Sequence, residues 1–482
     1  EAINNPDCGW FYTANQKNFE KIPGLNIGYW LNSSIIDSFK NNNVKDYTIG
    51  KAGIVSGNDN DFLRLWHETS LLRITFDATS FEKNNSFIWV PISKGGYYRK
   101  YYGNNEYIIN IRNLYLEGRT NKSVRRGDKN YYFKNAVTWT YVSSSKTSFR
   151  YISNCVFGTA APALFKKNGD YLLYILAFLN SKITSVILPA LNPTLNMVSG
   201  DIANLPLILT KDSRVISSIA ENQIKTSKTD WDSRETSWDF KQNELIRLKS
   251  DTLEESFKNY MNYWNEQFFQ LHENEEELNR QFIEIYGLQD ELTPDVPLEE
   301  ITILQEETGI EDGELVFYAD KVMEQFVSYA VGCMFGRYSL DKEGLILANQ
   351  GETLQDYLIK VGKSEEELTF VPDKDNIIPV LDEEWFADDI VERFYSFLKA
   401  SFGEEKFREN LSFLEESLGK DIRRYFTRDF YKDHIKRYKK RPIYWMFSSP
   451  KSHFNVLIYM HRYTPDTVSR ILNSYLREFI DK

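Results

Sequence analysis

Apolar residues recur every three or four positions through the middle of this 482-residue chain. Neither Gly nor Pro occurs between Val215 and Tyr286. One face of this stretch carries Leu253, Phe257, Tyr260, Met261, Trp264, Phe268 and Leu271, and Leu278, Phe282, Ile285 and Tyr286 extend it. The spacing predicts an amphipathic helix over residues 253–286, about 50 Å long unless the acidic run at 272–277 bends it. We predict a helical segment at residues 216–290, which serves either as a spacer or as a core-packing helix.

The first part of the chain has a shorter repeat. Runs rich in β-branched and aromatic residues, such as Ser86–Pro91 and Tyr107–Ile111, are bounded by Gly and Asn and predict strands. The apolar run that starts at Tyr171 predicts a buried helix, and the prolines from Pro189 to Pro206 predict an extended return. We therefore predict a mixed α/β domain with a twisted sheet at residues 44–215.

Helical periodicity returns in the last part of the chain. A run with small residues follows Val322, and several amphipathic helices are predicted from Trp385 to Arg441. Residues 291–482 are therefore predicted to form a mainly α-helical domain, and the fold class of the whole chain is α+β. No run of about 18 apolar residues occurs, so no membrane span is expected. The first residues lack the basic and apolar regions of a signal peptide.

Charge is distributed unevenly along the chain. The net charge is −11, but residues 44–150 hold 17 basic and 9 acidic residues, a surplus of 8. Acidic residues dominate farther on, for example in Glu273–Glu277 and Glu365–Glu367. This asymmetry is typical of a polyanion-binding module that is fused to a solvated scaffold.

The motifs of common enzymes are absent from the sequence. No Gly-x-Gly, phosphate-binding loop or Gly-x-Ser-x-Gly elbow occurs. The five histidines show no metal-ligand spacing with Cys8, Cys155 and Cys333, and Asp373 is too far from Glu404 and Lys406 to suggest a magnesium nuclease. We predict no catalytic residue, cofactor site or metal site. Three widely spaced cysteines also favour a reducing cytoplasm.

Two basic segments of the first domain are candidates for DNA contact. The segment Gly118–Lys134 is rich in Gly and Asn and contains Arg119, Lys122, Arg125, Arg126, Lys129 and Lys134. Arginine pairs with guanine O6 and N7, and lysine suits phosphates, although such a charge run is also typical of a solvated loop. In the segment Lys94–Tyr102, basic and aromatic residues alternate, and the basic ones are Lys94, Arg99 and Lys100. This second pattern predicts either contact with a nucleic-acid backbone or an aromatic core hairpin.

A third basic cluster lies near the end of the chain, at Ile422–Pro442. Its helical spacing aligns four residues on one face, namely Arg424, Arg428, Lys432 and Lys436. This face is predicted either to bind phosphates or to compensate the charge of an acidic domain.

Several motifs together carry a family resemblance. Between Lys51 and Pro206 stand K-A-G-I-V-S-G-N-D-N-D-F-L-R-L-W, G-D-K-N-Y-Y-F-K and P-T-L-N-M-V-S-G-D-I-A-N-L-P. Near the end stand R-P-I-Y-W-M-F-S-S-P-K and L-I-Y-M-H-R-Y-T-P-D-T-V. They resemble the part of the PglX family that follows its methyltransferase core. This family comprises adenine-specific DNA methyltransferases of BREX phage-defence systems, and the resemblance covers nearly the whole chain.

The resemblance implies a division of labour. Residues 1–43 would be a connector from the methyltransferase core, residues 44–215 a target-recognition domain, and residues 216–290 the spacer. The acceptor motif Asn/Asp-Pro-Pro-Tyr/Phe is absent, as is the glycine turn that holds S-adenosylmethionine. The chain alone is therefore predicted inactive, with S-adenosylmethionine expected only in the full-length enzyme.

The expected partners follow from the same resemblance. They are double-stranded DNA, the methyltransferase core of the same polypeptide and other BREX proteins, in the cytoplasm and without a membrane. Two alternatives remain open. One is a non-catalytic interaction scaffold of a defence complex, and the other is a type I restriction specificity subunit, which usually carries two recognition domains and two spacers.

Overall fold

The computed structural model describes residues 5, 14–80, 88–117, 120–142 and 146–481. The fold is mixed α+β, as predicted. The α-helices are α1 Gln16–Phe19, α2 Ser33–Ser38, α3 Val44–Tyr47, α4 Asp59–Phe62, α5 Ile111–Glu117, α6 Leu172–Asn180, α7 Lys182–Leu191, α8 Ser199–Ala203, α9 Ser213–Asp232, α10 Glu244–Arg247, α11 Leu253–Tyr286, α12 Ala319–Met334, α13 Leu354–Val361, α14 Ile390–Phe402, α15 Phe407–Leu418, α16 Ile422–Tyr425, α17 Tyr431–Arg437, α18 Thr467–Arg470 and α19 Arg477–Asp481.

The strands are shorter than the helices. They are β1 Thr48–Lys51, β2 Leu63–Leu65, β3 Trp89–Ser93, β4 Tyr107–Asn110, β5 Ala136–Trp139, β6 Phe149–Ile152, β7 Val156–Phe157, β8 Ala163–Lys166, β9 Thr308–Glu311, β10 Glu314–Phe317, β11 Ile378–Pro379, β12 Tyr444–Ser448 and β13 Asn455–Tyr459. The strand predicted at Tyr107–Ile111 is confirmed as β4. The strand predicted at Ser86–Pro91 corresponds to β3, although Ser86 and Phe87 lie outside the described residues.

The chain divides into two compact units. Unit 1 contains the described parts of Glu1–Leu63, Thr75–Lys228 and Phe268–Ile303, and unit 2 contains Arg64–Ile74, Thr229–Gln267 and the described part of Leu304–Lys482. The helices α9 and α11 therefore contribute residues to both units. The domain boundaries at residues 43, 215 and 290 stay predictions.

Unit 1 is built on an antiparallel sheet with both faces covered. Its strand order is β1-β8-β5-β6. Neighbouring residues of β5 point to opposite faces, so Val137 joins the core formed with the helices, whereas Ala136 joins a second core. That second core also contains residues of β3, β4 and β7, where β3 pairs antiparallel with β4 and parallel with β7. Because both faces of the sheet are covered, all four residues of β5 are buried, including the polar Thr138.

The long helix α11 confirms the prediction for residues 253–286. The acidic run does not interrupt it, because partners satisfy its side chains: Glu277 pairs with Arg280 at 2.5 Å, and Glu276 accepts a hydrogen bond from the Val296 N–H. In unit 1, the end of α11 packs through the Phe282 ring against the rings of α6. The helix supplies core to the unit that carries the first two basic segments.

The buried helix predicted from Tyr171 differs from expectation, because it is broken into α6 and α7 at Ser181. The Asn180 side chain bonds both backbone groups of Phe149, and Asn279 accepts from the Lys182 N–H at 2.9 Å, so the tertiary contacts hold the break. Pro189, predicted as part of an extended return, lies inside α7.

Among the described residues, no single helix is both long enough and apolar enough to cross a bilayer. The pair α6 and α7 reaches that length and composition only together, and the two helices are bent by 79°.

Unit 2 is mainly helical, which agrees with the mainly α-helical character predicted for residues 291–482. Helices α12, α14 and α15 pack on one another. A three-stranded antiparallel sheet with the order β11-β13-β12 and the hairpin β9-β10 complete it. The amphipathic helices predicted from Trp385 to Arg441 are confirmed as α14 to α17.

Candidate nucleic-acid interface

The basic segment of residues 122–134 is pinned to unit 1 by its backbone. Arg125 exchanges two hydrogen bonds of 2.9 Å with the backbone of Val55. Phe133, at a φ of 60°, donates its N–H to the carbonyl of Cys155. Tyr132 and Phe133 are buried in the core beneath. The segment is therefore held at both ends, while Lys122, Arg125, Lys129 and Lys134 are exposed.

The motif around Lys51 contributes to the same surface. Lys51 Nζ lies 3.2 Å from the Asp128 carboxylate and 4.5 Å from the centre of the Tyr131 ring. Lys134 Nζ approaches the same ring at 5.7 Å. Asp128 in turn caps the 3-10 turn Lys129–Tyr131 by accepting from the Asn130 N–H at 3.1 Å. Lys51 was absent from the predicted site residues, although it begins the first motif of the family resemblance.

Close backbone approach explains the glycine of that motif. Ile54 donates its N–H to the carbonyl of Phe157 at 2.8 Å. A Cβ on Gly53 would lie 2.0 Å from that same oxygen, so no larger residue fits without moving the backbone. The motif thus anchors the strand-like stretch that carries Val55 and, through it, Arg125.

The basic residues of segment 122–134 differ in whether they form ion pairs. Among the described residues, Lys122, Arg125 and Lys134 have no carboxylate partner within ion-pair distance. The Arg126 guanidinium is half-buried and lies 5.3 Å from the centre of the Tyr115 ring. Arg119, the remaining predicted residue of this segment, lies outside the described residues. The described side chains leave a net positive surface that is open to an anionic partner.

The segment 94–102 presents its basic residues differently. Lys94 is half-buried, is paired with Asp59 and lies 5.2 Å from the centre of the Tyr107 ring. Arg99 and Lys100 are buried at 6% and 5% exposure. The structure therefore does not present Arg99 and Lys100 to a ligand, and the proposed DNA contacts do not include them.

Lys100 forms a buried ion pair in unit 1. Its Nζ lies 2.5 Å from Glu275 of α11, and its N–H donates to the Thr302 hydroxyl at 3.1 Å. Burial raises the pKa of the Glu275 carboxyl even beside this ammonium. The neighbouring Tyr101 is bonded to the backbone of Phe149. This segment thus connects the sheet to the long helix.

The third group of predicted residues lies on one helical row of unit 2. Helices α16 and α17 are joined by a π-helical turn at Phe426–Phe430. Arg424, Arg428, Lys432 and Lys436 are exposed, whereas Ile422, Phe426, Phe430, His434 and Tyr438 are buried. In a regular α-helix, each step of four residues turns the face by about 40°. The π turn needs more residues per turn and offsets this drift, so a four-residue repeat stays on one side.

A surface cleft of about 680 Å³ opens beside this row. Its cationic lining consists of Lys420, Arg423, Arg424 and Arg428. Acidic groups share the cleft, and Asp429 pairs with Lys420 at 2.8 Å. The hydrogen bond from Lys420 holds the pKa of the Asp429 carboxyl below its usual range. The row is therefore cationic but interrupted by the ionised carboxylate of Asp429.

Among the described residues, no group of three or more His, Cys, Asp or Glu side chains is arranged to hold a metal ion. Cys155 and Cys333 are free and buried.

Comparison with known proteins identifies the relatives of this chain. No family model matches it. It is 35% identical over 501 residues to the adenine-specific methyltransferase PglX of Lacticaseibacillus casei (strain Zhang), with 98% of this chain aligned to 40% of that protein. The chain is homologous to a segment of these methyltransferases. With BrxX of Escherichia coli O9:H4 (strain HS), also an adenine-specific methyltransferase, it is 38% identical over 503 residues, again at 98% and 40% coverage.

The resemblance predicted from the motifs is thus confirmed, because PglX and BrxX align along nearly the whole chain. The chain spans about two fifths of the length of these curated relatives. Both relatives are named as adenine-specific methyltransferases. The DNA contacts of individual residues stay predictions.

Proposed function

We propose that this chain is the DNA target-recognition and DNA-clamping part of a BREX N6-adenine DNA methyltransferase. One observation carries the proposal. In unit 1, the segment 122–134 displays exposed cations on a backbone that is paired with Val55 and packed on the core. A preorganised set of cations binds a polyanion with a smaller loss of conformational entropy than a flexible loop does.

Base reading is proposed for the arginines of this segment. Arg125 is exposed, and its backbone is fixed by two hydrogen bonds, which sets the direction from which its side chain departs. A guanidinium can donate two hydrogen bonds to guanine in the major groove. Lys122, Lys129 and Lys134 are suited to the flanking phosphates, and Lys51 and Lys94 lie on the same unit.

A clamping role is proposed for the row Arg424, Arg428, Lys432 and Lys436. Its cations are spaced along one side of a helix, and they share the cleft with carboxylates. Phosphates need only positive charge and donors, so this row would position DNA without reading sequence.

The methyl transfer is proposed to be catalysed by the methyltransferase core of the same polypeptide. There S-adenosylmethionine would supply the methyl group, and an adenine turned out of the duplex would accept it at N6. The recognition part would bring a chosen site to that core. The proposed role is phage defence together with other BREX proteins, and the cytoplasm is the expected compartment.

Exposed apolar side chains that lie close together in the sequence support the proposed contact with the core. In unit 1, Leu25 and Ile27 are 68% and 67% exposed, and Trp30 beside them is partly exposed. Exposed apolar residues that cluster are typical of protein interfaces. Substituting Leu25 and Ile27 by Ser should weaken binding of the separately expressed core, with no change in the DNA affinity of the chain itself.

Direct binding tests the central proposal. The chain should bind duplex DNA, with affinity that falls steeply as salt rises, because cations on the protein displace counterions from phosphates. Affinity is measured by fluorescence anisotropy on a duplex that contains the methylation site of the full-length enzyme and on a permuted duplex. Absence of binding at low salt, alongside tight binding to other BREX proteins, would favour the scaffold alternative.

A further inference from the structure

A buried polar cluster in unit 2 has no role in the proposed function. Its rings and guanidinium follow one another at short distances: His67 to Tyr438, Tyr438 to His434, and His434 to Tyr444 each have ring centres 4.7 Å apart. Tyr444 contacts the ring of Tyr459 in turn. The Arg337 guanidinium carbon lies 5.8 Å from the centre of the Tyr459 ring and 5.4 Å from the centre of the Trp66 ring. The Trp66 ring also contacts the ring of His67, so these side chains form a closed ring of contacts. We call these seven side chains the Arg337 cluster.

The guanidinium of Arg337 is buried without a carboxylate. It has 0% exposure, its Nε donates to the Tyr338 hydroxyl at 3.1 Å, and one terminal nitrogen donates to the Tyr459 hydroxyl at 2.9 Å. The other terminal nitrogen, Nη2, has no hydrogen-bond partner among the described residues. A guanidinium stays protonated in proteins, so a full positive charge is buried here, at a high cost unless it is compensated.

Neighbouring groups do not supply the missing negative charge. Burial lowers the pKa of His67 and His434 well below the usual value and raises the pKa of Tyr438 and Tyr444 well above it, so all four are neutral near pH 7. The nearby carboxylate of Glu235 lies 3.1 Å from the Arg437 guanidinium, which offsets it. The net charge of these buried groups is therefore +1, and it resides on Arg337.

The unsatisfied atoms of the cluster are mostly donors. The hydroxyls of Tyr438 and Tyr444 have no partner among the described residues. His434 accepts two backbone N–H groups at Nε2, so its proton is on Nδ1, which also has no partner there. Both ring nitrogens of His67 also lack a hydrogen-bond partner among the described residues, and one of these nitrogens carries a proton. Several unpartnered donors thus belong to the same buried cluster as one guanidinium, which interacts electrostatically with Tyr438 and Tyr444.

We propose that the Arg337 cluster binds one small monovalent anion of the halide class, held by Arg337 Nη2 and the hydroxyls of Tyr438 and Tyr444. One negative charge balances the buried guanidinium, whereas a dianion such as phosphate would leave a net negative charge in the core. Gly332 of α12 borders the cluster, since a Cβ there would lie 2.4 Å from the Tyr338 ring and 3.3 Å from the Tyr444 hydroxyl oxygen. The anion is a structural part of unit 2, and this proposal does not depend on DNA binding.

Thermal unfolding of the chain without DNA tests this site. The protein is prepared in sodium gluconate, and chloride or bromide replaces gluconate at constant ionic strength. We expect the unfolding temperature to rise and to saturate with halide, because a ligand that binds only the folded state stabilises it. An unfolding temperature that does not depend on halide would overturn the proposal.

Two isosteric variants locate the site. Tyr438→Phe and Tyr444→Phe each remove one hydroxyl and keep the ring, so each should raise the half-saturating halide concentration about tenfold, the effect of losing a hydrogen bond to a charged group. Tyr174→Phe is the control, since its buried hydroxyl donates to the Ile208 carbonyl in unit 1. It should lower the unfolding temperature at every halide concentration and leave the half-saturation point unchanged.

Crystals soaked in bromide give an independent measurement. An anomalous peak within hydrogen-bond distance of Arg337 Nη2 supports the site. Ordered water without an anomalous peak, together with unchanged half-saturation in both tyrosine variants, would show that the cluster is an internal hydration site instead.

Discussion

Two basic surfaces of this chain are similar in charge and different in construction. In unit 1, residues 122–134 hold their cations on an irregular segment that is paired with Val55 and supported by the rings of Tyr115 and Tyr131. In unit 2, the row from Arg424 to Lys436 lies on a continuous helical stretch. The first surface owes its shape to distant parts of the chain, whereas the second owes its shape to local helical repeat.

The difference indicates how the arrangement of cations determines whether a surface recognises a DNA sequence or only the DNA backbone. A helical row repeats one kind of group at one spacing, which matches the repeated phosphates of a polyanion. An irregular segment places each arginine in its own direction, which suits the distinct donor and acceptor pattern of one base pair. We therefore expect sequence reading in unit 1 and sequence-independent holding in unit 2.

The largest expected effect concerns a basic residue that faces neither surface. Lys100→Met leaves Glu275 buried without its partner, so the free energy of unfolding should fall by about 3–5 kcal/mol. Urea denaturation of the chain measures it. The double variant Lys100→Met, Glu275→Leu should recover most of the loss. If the single variant were as stable as the parent and bound DNA weakly, Lys100 would belong with the surface cations after all.

Base reading is tested by Arg125→Ala and Arg126→Ala in the full-length enzyme. Loss of a bidentate contact with guanine should cost about 1–3 kcal/mol at one base position. Mapping methylated sites across a genome should then show relaxation at that position. A uniform loss of methylation at an unchanged motif would mean that the segment holds only the backbone, as the helical row is proposed to do.

The helical row is tested by Arg424→Ala and Arg428→Ala in the same enzyme. Each change should weaken binding to all sequences alike and reduce the salt slope by about one unit, because one phosphate contact is lost. Anisotropy titrations at several salt concentrations measure both quantities. Glu409→Gln, on the exposed part of α15, is a matched surface control that should leave the slope unchanged. A changed methylation motif would contradict the comparison.

The smallest effect comes from one carboxylate on each surface. The backbone N–H of Asn130 holds the pKa of Asp128 below its usual range, as the Lys420 hydrogen bond does for Asp429, so both are ionised near pH 7. Asp128→Asn and Asp429→Asn each remove a charge that repels phosphate, and each should tighten DNA binding about twofold at low salt. Weaker binding by either variant would place that surface away from the DNA.

The sequence by itself determined the elements that depend on local repeat. The apolar spacing predicted α11 with both of its ends, because one buried face recurs every three or four residues regardless of what covers it. The four-residue spacing also predicted that Arg424, Arg428, Lys432 and Lys436 share a face. The family motifs indicated the methyltransferase relatives, since such motifs are stretches of contiguous residues.

Only the tertiary structure decided which polar groups are buried and what satisfies them. Lys100 and Lys122 look alike in the sequence, but Lys100 meets Glu275, which is 175 positions away, and Lys122 remains exposed. The Ser181 break depends on Asn279, and the Arg337 cluster gathers residues from position 66 to position 459. The physical reason is common to all three. Burial and partner choice depend on contacts between distant segments, which local periodicity does not record.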